Sequence, residues 1–183
     1  IKCFSKTVVA DRASSLMAIG YARKVLNKDK LNMILAGGME APVSPYALLC
    51  CNTYGALSKN NLNPESAYRP FDKRRDGCVI GEGSGIMVME PIERARKRKA
   101  NILACISGYG TTCDGVNRIN PDRNPLELVR AINSALGDAK VSPSDIDYIS
   151  LDGLAVAVWD DSEIDALRSV FGDKLKEIPV SCP

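Results

Sequence analysis

In the first part of the chain, apolar segments separated by short polar turns predict a strand, a helix and a second strand. Residues Cys3 to Val9 are typical of an entering strand, and the apolar run from Ser14 to about Asn27 predicts a helix buried nearly all round. A polar turn then leads to residues 31–38, which predict a strand that ends in glycines. A strand, a helix and a returning strand form a βαβ unit, so the two strands are expected to be parallel.

Prolines break the pattern in the middle of the chain, between residues 39 and 76. An apolar island at residues 46–51 predicts a short helix there. Residues 79–89 predict a glycine-rich connection followed by a buried strand. A further helix is expected from Pro91 to about Lys99, with the proline in its first turn.

The second part of the chain repeats this alternation. Residues 102–109 predict a strand, and the next helix has a start signal in Asn124 as the cap, Pro125 at the first position and Glu127 as the capping-box glutamate. The apolar residues that follow recur at helical spacing.

Three more elements complete the predicted order. They are a strand at residues 147–151, a helix at 161–171 capped by Gly172, and a last strand that begins near Ile178. Alternating strands and helices indicate an α/β protein with helices layered on sheets.

Composition narrows the class of protein. The chain has 183 residues and a net charge of +2, which argues against a dedicated nucleic-acid or membrane-surface binder. No apolar run approaches the length of a membrane span, and no signal peptide opens the chain. The chain starts at Ile1 without a methionine and stops soon after an apolar stretch, which favours a fragment of something longer.

Cysteine and histidine content restricts the possible chemistry. The seven cysteines are odd in number and lack CxxC spacing, so we interpret them as reduced core residues of a cytoplasmic protein. The sequence contains no histidine, which excludes a Ser-His-Asp or Cys-His pair within it and argues against a zinc site. We therefore expect neither a metal nor a bound cofactor.

One stretch, residues 7–15, predicts a sharp turn from a β-branched strand into a helix. Small residues on either side of Arg12 allow close packing and place its side chain at the helix N-terminus, where backbone N–H groups are unpaired. Enzymes place nucleophiles at such positions, because the positive helix end lowers the pKa of a thiol. A guanidinium is always protonated and cannot act as a nucleophile.

This stretch resembles the nucleophile elbow of β-ketoacyl synthases, which are members of the thiolase superfamily. Further segments match the same family along essentially the whole chain, among them 69–72, 75–77 and 81–85. The resemblance implies a thiolase-like α/β fold of five layers, α-β-α-β-α, with two similar halves, and a dimer. Residues 1–100 would be the end of the N-terminal half and 101–183 the start of the C-terminal half.

The resemblance places the two catalytic positions that fall within this sequence. The family's cysteine corresponds to Arg12 and its first histidine to Asp152, while the second histidine would lie beyond Pro183. Residues 152–163 are similar to the chain-length factors of type II polyketide synthases, inactive relatives that pair with an active ketosynthase. Those proteins usually carry glutamine at the cysteine position, so Arg12 departs from their pattern too.

Three further expectations concern individual residues. Arg12 and Asp152 would form an ion pair in one pocket, or each would face water or another partner. By resemblance, Tyr46, Ala47 and Leu48 would line the polyketide tunnel at the dimer interface, although an ordinary packed loop is equally compatible. Arg69 aligns with an arginine that contacts the acyl carrier protein.

Two other motifs suggest binding sites but have simpler explanations. Residues 81–85 lack the spacing of a phosphate loop and precede a strand, so close backbone packing is expected. Five basic residues within 94–99 could attract an acidic carrier protein, but cations are also favoured at a solvated helix end.

The leading hypothesis is a non-catalytic chain-length factor that forms a heterodimer with an active ketosynthase and shapes the polyketide tunnel. The substrate of that complex would be a thioester on the phosphopantetheine of an acyl carrier protein. One alternative is a divergent β-ketoacyl synthase with residual condensing or decarboxylating activity. Another is a partner with a structural role only.

Overall fold

A computed structural model describes residues 5–29, 31–117 and 120–182, which fold into two compact units. The first unit comprises the described residues up to Ala41 together with Glu82–Ser107, and the second comprises Pro42–Gly81 and the described residues from Gly108 onward. The helices are α1 (Ser14–Asp29), α2 (Pro45–Thr53), α3 (Ile92–Lys97), α4 (Leu126–Ala139) and α5 (Ala157–Phe171). The strands are β1 (Ile34–Glu40), β2 (Gly83–Met89), β3 (Ile149–Ser150) and β4 (Val180–Ser181).

The first unit is a two-stranded antiparallel sheet with a helix packed on one face. Strand β1 pairs with β2 from Ile34 opposite Met89 to Glu40 opposite Gly83. Helix α1 contributes Ala22 and Leu26 to a small apolar core with the sheet residues Ala36 and Met89. Burial of these side chains is what holds helix and sheet together.

Several expectations for the first unit are wrong. Residues 5–9 form no strand, and β1 pairs antiparallel with β2 rather than parallel with an entering strand. Cys3 and Phe4 lie outside the described residues. A strand exists only through pairing, and no ladder among the described residues includes 5–9. Helix α1 buries one face rather than its whole circumference, because only that face meets the sheet.

Strand β2 also differs from the prediction, because it is exposed at every residue except Met89. Its one paired neighbour is β1, and the sheet face opposite α1 carries exposed Leu35 and Ile86. Apolar composition identified the strand correctly but not its burial, which depends on a second covering layer.

The strand predicted at 102–109 is absent, and the chain there has no regular secondary structure. In both units, backbone groups of this segment that could pair with a neighbouring strand form hydrogen bonds with side chains instead. The carbonyls of Ile106 and Ser107 accept from the Arg23 guanidinium at 3.0 and 2.6 Å. The N–H of Tyr109 donates to the carboxylate of Asp138 at 3.0 Å.

The second unit contains a βαβ element. Strands β3 and β4 are parallel, with Ile149 opposite Val180, and α5 connects them. Leu151, Leu167, Phe171 and Ile178 form the buried core between these elements. Gly172 ends α5 at a φ of 53°, as the sequence predicts. The helix, its cap and the last strand are therefore confirmed.

Helix α4 is confirmed, but its predicted start signal is wrong. The helix begins at Leu126, after Pro125, and no side chain caps it. Proline offers no side-chain acceptor, and Glu127 is one residue too early for a capping box. Its carboxylate instead lies 2.5 Å from the guanidinium of Arg130.

The structure also bears on the predicted state of the cysteines and on the expected lack of a membrane span. None of the six described cysteines forms a disulfide, but none is fully buried either, and Cys105 and Cys113 are exposed on irregular segments. The expected core placement is therefore wrong for Cys105 and Cys113, whereas Cys182 packs against the core of the second unit. Within the described ranges, no helix has both the length and the apolarity required to cross a bilayer.

Candidate functional site

The predicted bend is present around Arg12, two residues before α1 begins. The N–H of Ala13 donates to the Ala10 carbonyl at 3.1 Å, and the N–H of Ser14 donates to the Asp11 carbonyl at 3.1 Å. The Ser14 hydroxyl accepts from the Ala10 N–H at 2.8 Å and donates to the Asp11 carbonyl at 2.6 Å. Asp11 itself adopts a left-handed φ of 49°. These bonds make a tight turn that brings position 12 to the helix N-terminus.

The guanidinium of Arg12 is partly exposed at this turn. Its Nε lies 4.0 Å from a carboxylate oxygen of Asp11, and the side chain keeps 36% of its exposure. Asp152 belongs to the other compact unit, so the Arg12–Asp152 pair stays a prediction.

Asp152 begins the 152–155 loop, which connects β3 to α5 and is held by hydrogen bonds from two directions. One carboxylate oxygen of Glu163 accepts from the Asp152 N–H at 2.8 Å, and the other accepts from the Gly153 N–H at 3.1 Å. The Tyr68 hydroxyl donates to the Gly153 carbonyl at 2.7 Å. Three consecutive peptide groups are thereby fixed, so the backbone of Asp152 is well defined although its side chain is exposed.

The backbone of the 152–155 loop is left-handed at two residues. Gly153 has a φ of 51° and Ala155 a φ of 60°, and Ala155 is fully buried. The Ala155 carbonyl accepts from the Gly77 N–H at 3.0 Å. A methyl group on Gly153 would stand 2.5 Å from the Cys182 sulfur, so only glycine fits there.

A buried ion pair lies beneath this loop. Asp160 is 1% exposed, and one of its carboxylate oxygens lies 3.3 Å from Nε of Arg75 and accepts from the Phe71 N–H at 2.8 Å. Arg75 also reaches Asp161 at 2.6 Å and donates to the Asp72 carbonyl at 2.9 Å. The contacts tie residues 71–75 to the first turns of α5.

Arg69 is directed toward a neighbouring carboxylate. Its guanidinium lies 3.6 Å from Asp76, and its side chain is 23% exposed. Asp76 accepts from the Ser58 hydroxyl at 2.8 Å and from the Lys59 N–H at 3.1 Å. The bond from Ser58 is the main cause that lowers the pKa of Asp76 below its usual value. Most of the Arg69 side chain is therefore covered, and its contact with a carrier protein stays a prediction.

The tunnel candidates lie on α2, the short helix predicted at residues 46–51. The Ser44 hydroxyl caps it by accepting from the Ala47 N–H at 3.3 Å. No residue of α2 is buried, and Tyr46 is 78% exposed. Ala47 is half-buried and Leu48 is exposed at 37%. The helix thus turns apolar side chains outward.

The environment of Glu163 changes its titration. Partial burial is the largest cause that raises the pKa of this carboxyl, and the negative charges of Asp152 and Asp160 act in the same direction. The two N–H bonds from the 152–155 loop oppose the rise but do not cancel it. The folded chain therefore binds the Glu163 proton more tightly than the unfolded chain does.

We expect this carboxyl to make stability fall as the pH rises. Because its folded pKa is raised, its contribution is complete below the unfolded value of about 4.5 and is lost as the pH passes the folded pKa. The difference in unfolding free energy between wild type and E163Q should therefore change across that range. Urea unfolding at a series of pH values measures it, with E177Q as the exposed control; parallel curves for wild type and E163Q would contradict the expectation.

Comparison with known proteins decides the family. The family model described as "Beta-ketoacyl synthase, N-terminal domain" matches residues 1–95, and "Beta-ketoacyl synthase, C-terminal domain" matches residues 103–183. The chain belongs to the β-ketoacyl synthase family. The predicted family is confirmed.

Two curated relatives carry different names. It is 36% identical over 176 residues to a "Putative polyketide beta-ketoacyl synthase 1" of Streptomyces cyaneus, covering 96% of this chain and 42% of the relative. It is 38% identical over 169 residues to "3-oxoacyl-[acyl-carrier-protein] synthase 2" of Staphylococcus aureus, covering 92% and 42%. The chain thus spans about two fifths of the length of these ketosynthases.

Solved structures confirm the thiolase-like fold. A type II polyketide synthase acyl-carrier protein in complex with its ketosynthase bound to the hexaketide matches with a TM-score of 0.89 and 35% identity, covering 93% of this chain and 42% of that one. "The ishigamide ketosynthase/chain length factor" matches with a TM-score of 0.79 and 34% identity, covering 91% and 38%. The chain therefore has part of a layered ketosynthase fold.

The sequence alone assigns no role to the residues that hold the 152–155 loop and the ion pair beside it. Arg75 was part of a recognised signature and Glu163 part of a recognised segment, but neither was assigned a contact. No signal in the sequence singles out Asp160, because acidic residues are common in the first turn of a helix. The contribution of Tyr68 depends on a contact 85 residues away, which no local pattern encodes.

Proposed function

We propose that this chain is part of a non-catalytic ketosynthase-like subunit, a chain-length factor of type II polyketide biosynthesis. The subunit would form a heterodimer with an active β-ketoacyl synthase and shape the tunnel in which the polyketide grows. The observation that carries the proposal is the guanidinium of Arg12 at the tight turn before α1.

The chemistry of condensation explains why this one residue matters. A ketosynthase accepts an acyl group when a thiolate attacks the carrier-bound phosphopantetheine thioester, and the positive end of a helix favours that thiolate. Arg12 stands at such an end but carries a cation that is protonated at every physiological pH. Acyl transfer and decarboxylative condensation would therefore take place on the partner's cysteine, with no cofactor held by this subunit.

Asp152 supports the same proposal from the second unit. Its carboxylate stands where the family's first catalytic histidine is expected, and a carboxylate cannot supply the imidazole's protons near neutral pH. We further propose that Arg12 and Asp152 pair within the assembled subunit. A guanidinium-to-carboxylate separation beyond direct or water-bridged reach in a crystal structure of the heterodimer would exclude that pair.

The similarity findings support the partners. A matching structure contains a ketosynthase with its acyl-carrier protein, and another is a ketosynthase/chain length factor. An acyl carrier protein and an active ketosynthase are therefore the partners that we propose, with Arg69 as a carrier contact. Purification of the tagged full-length protein from its host should recover a ketosynthase in equal amount, one that carries the missing cysteine. Recovery of this protein alone would contradict the heterodimer.

The exposed apolar side of α2 supports a role in the tunnel. Tyr46, Ala47 and Leu48 occupy consecutive positions on a helix that buries no residue. Side chains on such a helix are free to face a growing chain, and their bulk would limit its extension.

We expect A47W to shorten the polyketides that the heterodimer makes. The indole adds bulk at a half-buried position on α2, so the tunnel would end earlier. The measurement is the product distribution of the reconstituted synthase by mass spectrometry. N133W places the same side chain at an exposed position of α4 and should leave product length unchanged. Unchanged lengths with A47W would favour a partner with a structural role only.

A second candidate is a divergent β-ketoacyl synthase with residual activity. The 38% identity to a 3-oxoacyl-[acyl-carrier-protein] synthase of Staphylococcus aureus favours it. Such an enzyme would release carbon dioxide from malonyl groups without the partner. The isolated full-length protein should show no release above a protein-free control if the chain-length-factor proposal is correct.

A further inference from the structure

The 152–155 loop is held on both sides by side-chain hydrogen bonds, from Glu163 and from Tyr68. On the α5 side, the Glu163 carboxylate accepts hydrogen bonds from the N–H groups of Asp152 and Gly153. On the other side, the Tyr68 hydroxyl donates to the Gly153 carbonyl at 2.7 Å. Tyr68 immediately precedes Arg69 and is 39% exposed, so its ring bridges from the surface to the loop.

The loop has little freedom to move to another conformation. The α-carbon of Gly153 is closely flanked by Cys182 and by Pro70, because an added methyl group would stand 2.5 and 3.1 Å from their side chains. Ala155 is left-handed without being a glycine, and such a conformation persists only where surrounding contacts maintain it. The Tyr68 bond is one of those contacts, and it acts on the peptide that directly follows Gly153.

We propose that Tyr68 is a positioning residue that fixes the orientation of the side chain at position 152. The phenol ring is held beside the loop, and its O–H selects one direction for the Gly153 carbonyl. The orientation of the preceding peptide, which joins Asp152 to Gly153, is then set by the hydrogen bonds to Glu163. The inference concerns the 152–155 loop alone and does not depend on whether the subunit is catalytic or which partner it binds.

The electrostatic surroundings keep the Tyr68 hydroxyl in its donating form. Burial is the largest cause that raises the pKa of this phenol, and the nearby acids Cys182, Asp152 and Asp160 raise it further. The phenol therefore remains protonated at neutral pH and can donate to the carbonyl.

The test uses the absence of histidine from the sequence. D152H introduces one imidazole at the loop, and its ring proton gives an NMR signal that can be followed through a pH titration. One carboxylate oxygen of Glu163 accepts the N–H of residue 152 at 2.8 Å, so its negative charge should raise the pKa of the imidazole above the usual value of about 6.5. Adding Y68F should broaden or split the signal and move its midpoint back toward about 6.5.

A matched control separates positioning from general stability. Y148F removes another tyrosine hydroxyl bond of the same unit, the one to Ser181, and should leave the signal of D152H unchanged. Amide hydrogen exchange at Asp152 and Gly153 should quicken about fivefold in Y68F, as expected for one lost hydrogen bond. An identical midpoint, line width and exchange rate in the presence and absence of the hydroxyl would overturn the assignment.

A second variant keeps the test decisive. Y68M retains apolar volume without the hydroxyl and should reproduce the spectrum of Y68F. If neither variant folds, the assignment is also overturned, because Tyr68 is then required for the fold as a whole. All readouts are taken on the full-length protein without its partner, so they are independent of the tests of the proposed function.

Discussion

D160A is expected to lower the free energy of unfolding by about 3 to 5 kcal/mol, the usual cost of breaking a buried ion pair. The carboxylate of Asp160 is fully covered and is the buried partner of Arg75 at 3.3 Å. Its loss removes the buried carboxylate from Arg75, which keeps only the exposed Asp161 and the Asp72 carbonyl, and it removes the acceptor of the Phe71 N–H. Urea unfolding followed by circular dichroism measures the change.

The neighbouring residue gives a matched control for D160A. Asp161 pairs with the same guanidinium at 2.6 Å, but its side chain keeps 69% of its exposure. Exposed pairs contribute about 0–1 kcal/mol, so D161A should have a small effect. Equal losses for D160A and D161A would show that burial of the pair does not determine its contribution.

G153A is expected to cost about 3 kcal/mol, from left-handed strain and overpacking together. Ala155 shows that the loop accepts one left-handed alanine, so the larger share should come from the contact with Cys182 at 2.5 Å. The result is measured as a change in unfolding free energy.

Two variants isolate the cause in G153A. G55A places alanine at a φ of 70° in open space, so it should cost only about 1 kcal/mol of backbone strain. In G153A/C182A the sulfur is absent, and part of the loss should be recovered relative to the sum of the single variants. Strict additivity would contradict a clash with the sulfur.

Local patterns were sufficient for several elements. Apolar spacing located α1, α4 and α5, and Gly172 located the end of α5. These features depend on neighbours within one or two turns, which the sequence displays directly.

Strand pairing and burial could not be predicted in the same way. Residues 83–89 have the composition of a buried strand, yet among the described residues they pair with β1 alone, and all but Met89 stay exposed. Residues 102–109 have strand composition too, but Arg23 and Asp138 take their hydrogen bonds. Both outcomes depend on residues distant in sequence, which composition does not report.

The sequence predicted the chemical character of the candidate site but not the hydrogen bonds that hold its loop in place. The substitution at Arg12 is visible in the sequence because the flanking residues match a family pattern, and the bend there is present. Gly153 is held by hydrogen bonds with Tyr68, 85 residues away, and with Glu163, 10 residues away. Only the structure reveals these two contacts.

The most direct test of the non-catalytic role is acyl loading. The full-length protein and its ketosynthase partner are incubated with a labelled acyl carrier protein, and each subunit is weighed by intact mass spectrometry. We expect the acyl mass on the partner alone, because Arg12 offers no nucleophile at the bend before α1. A covalent acyl adduct on the subunit that contains Arg12 would contradict the account.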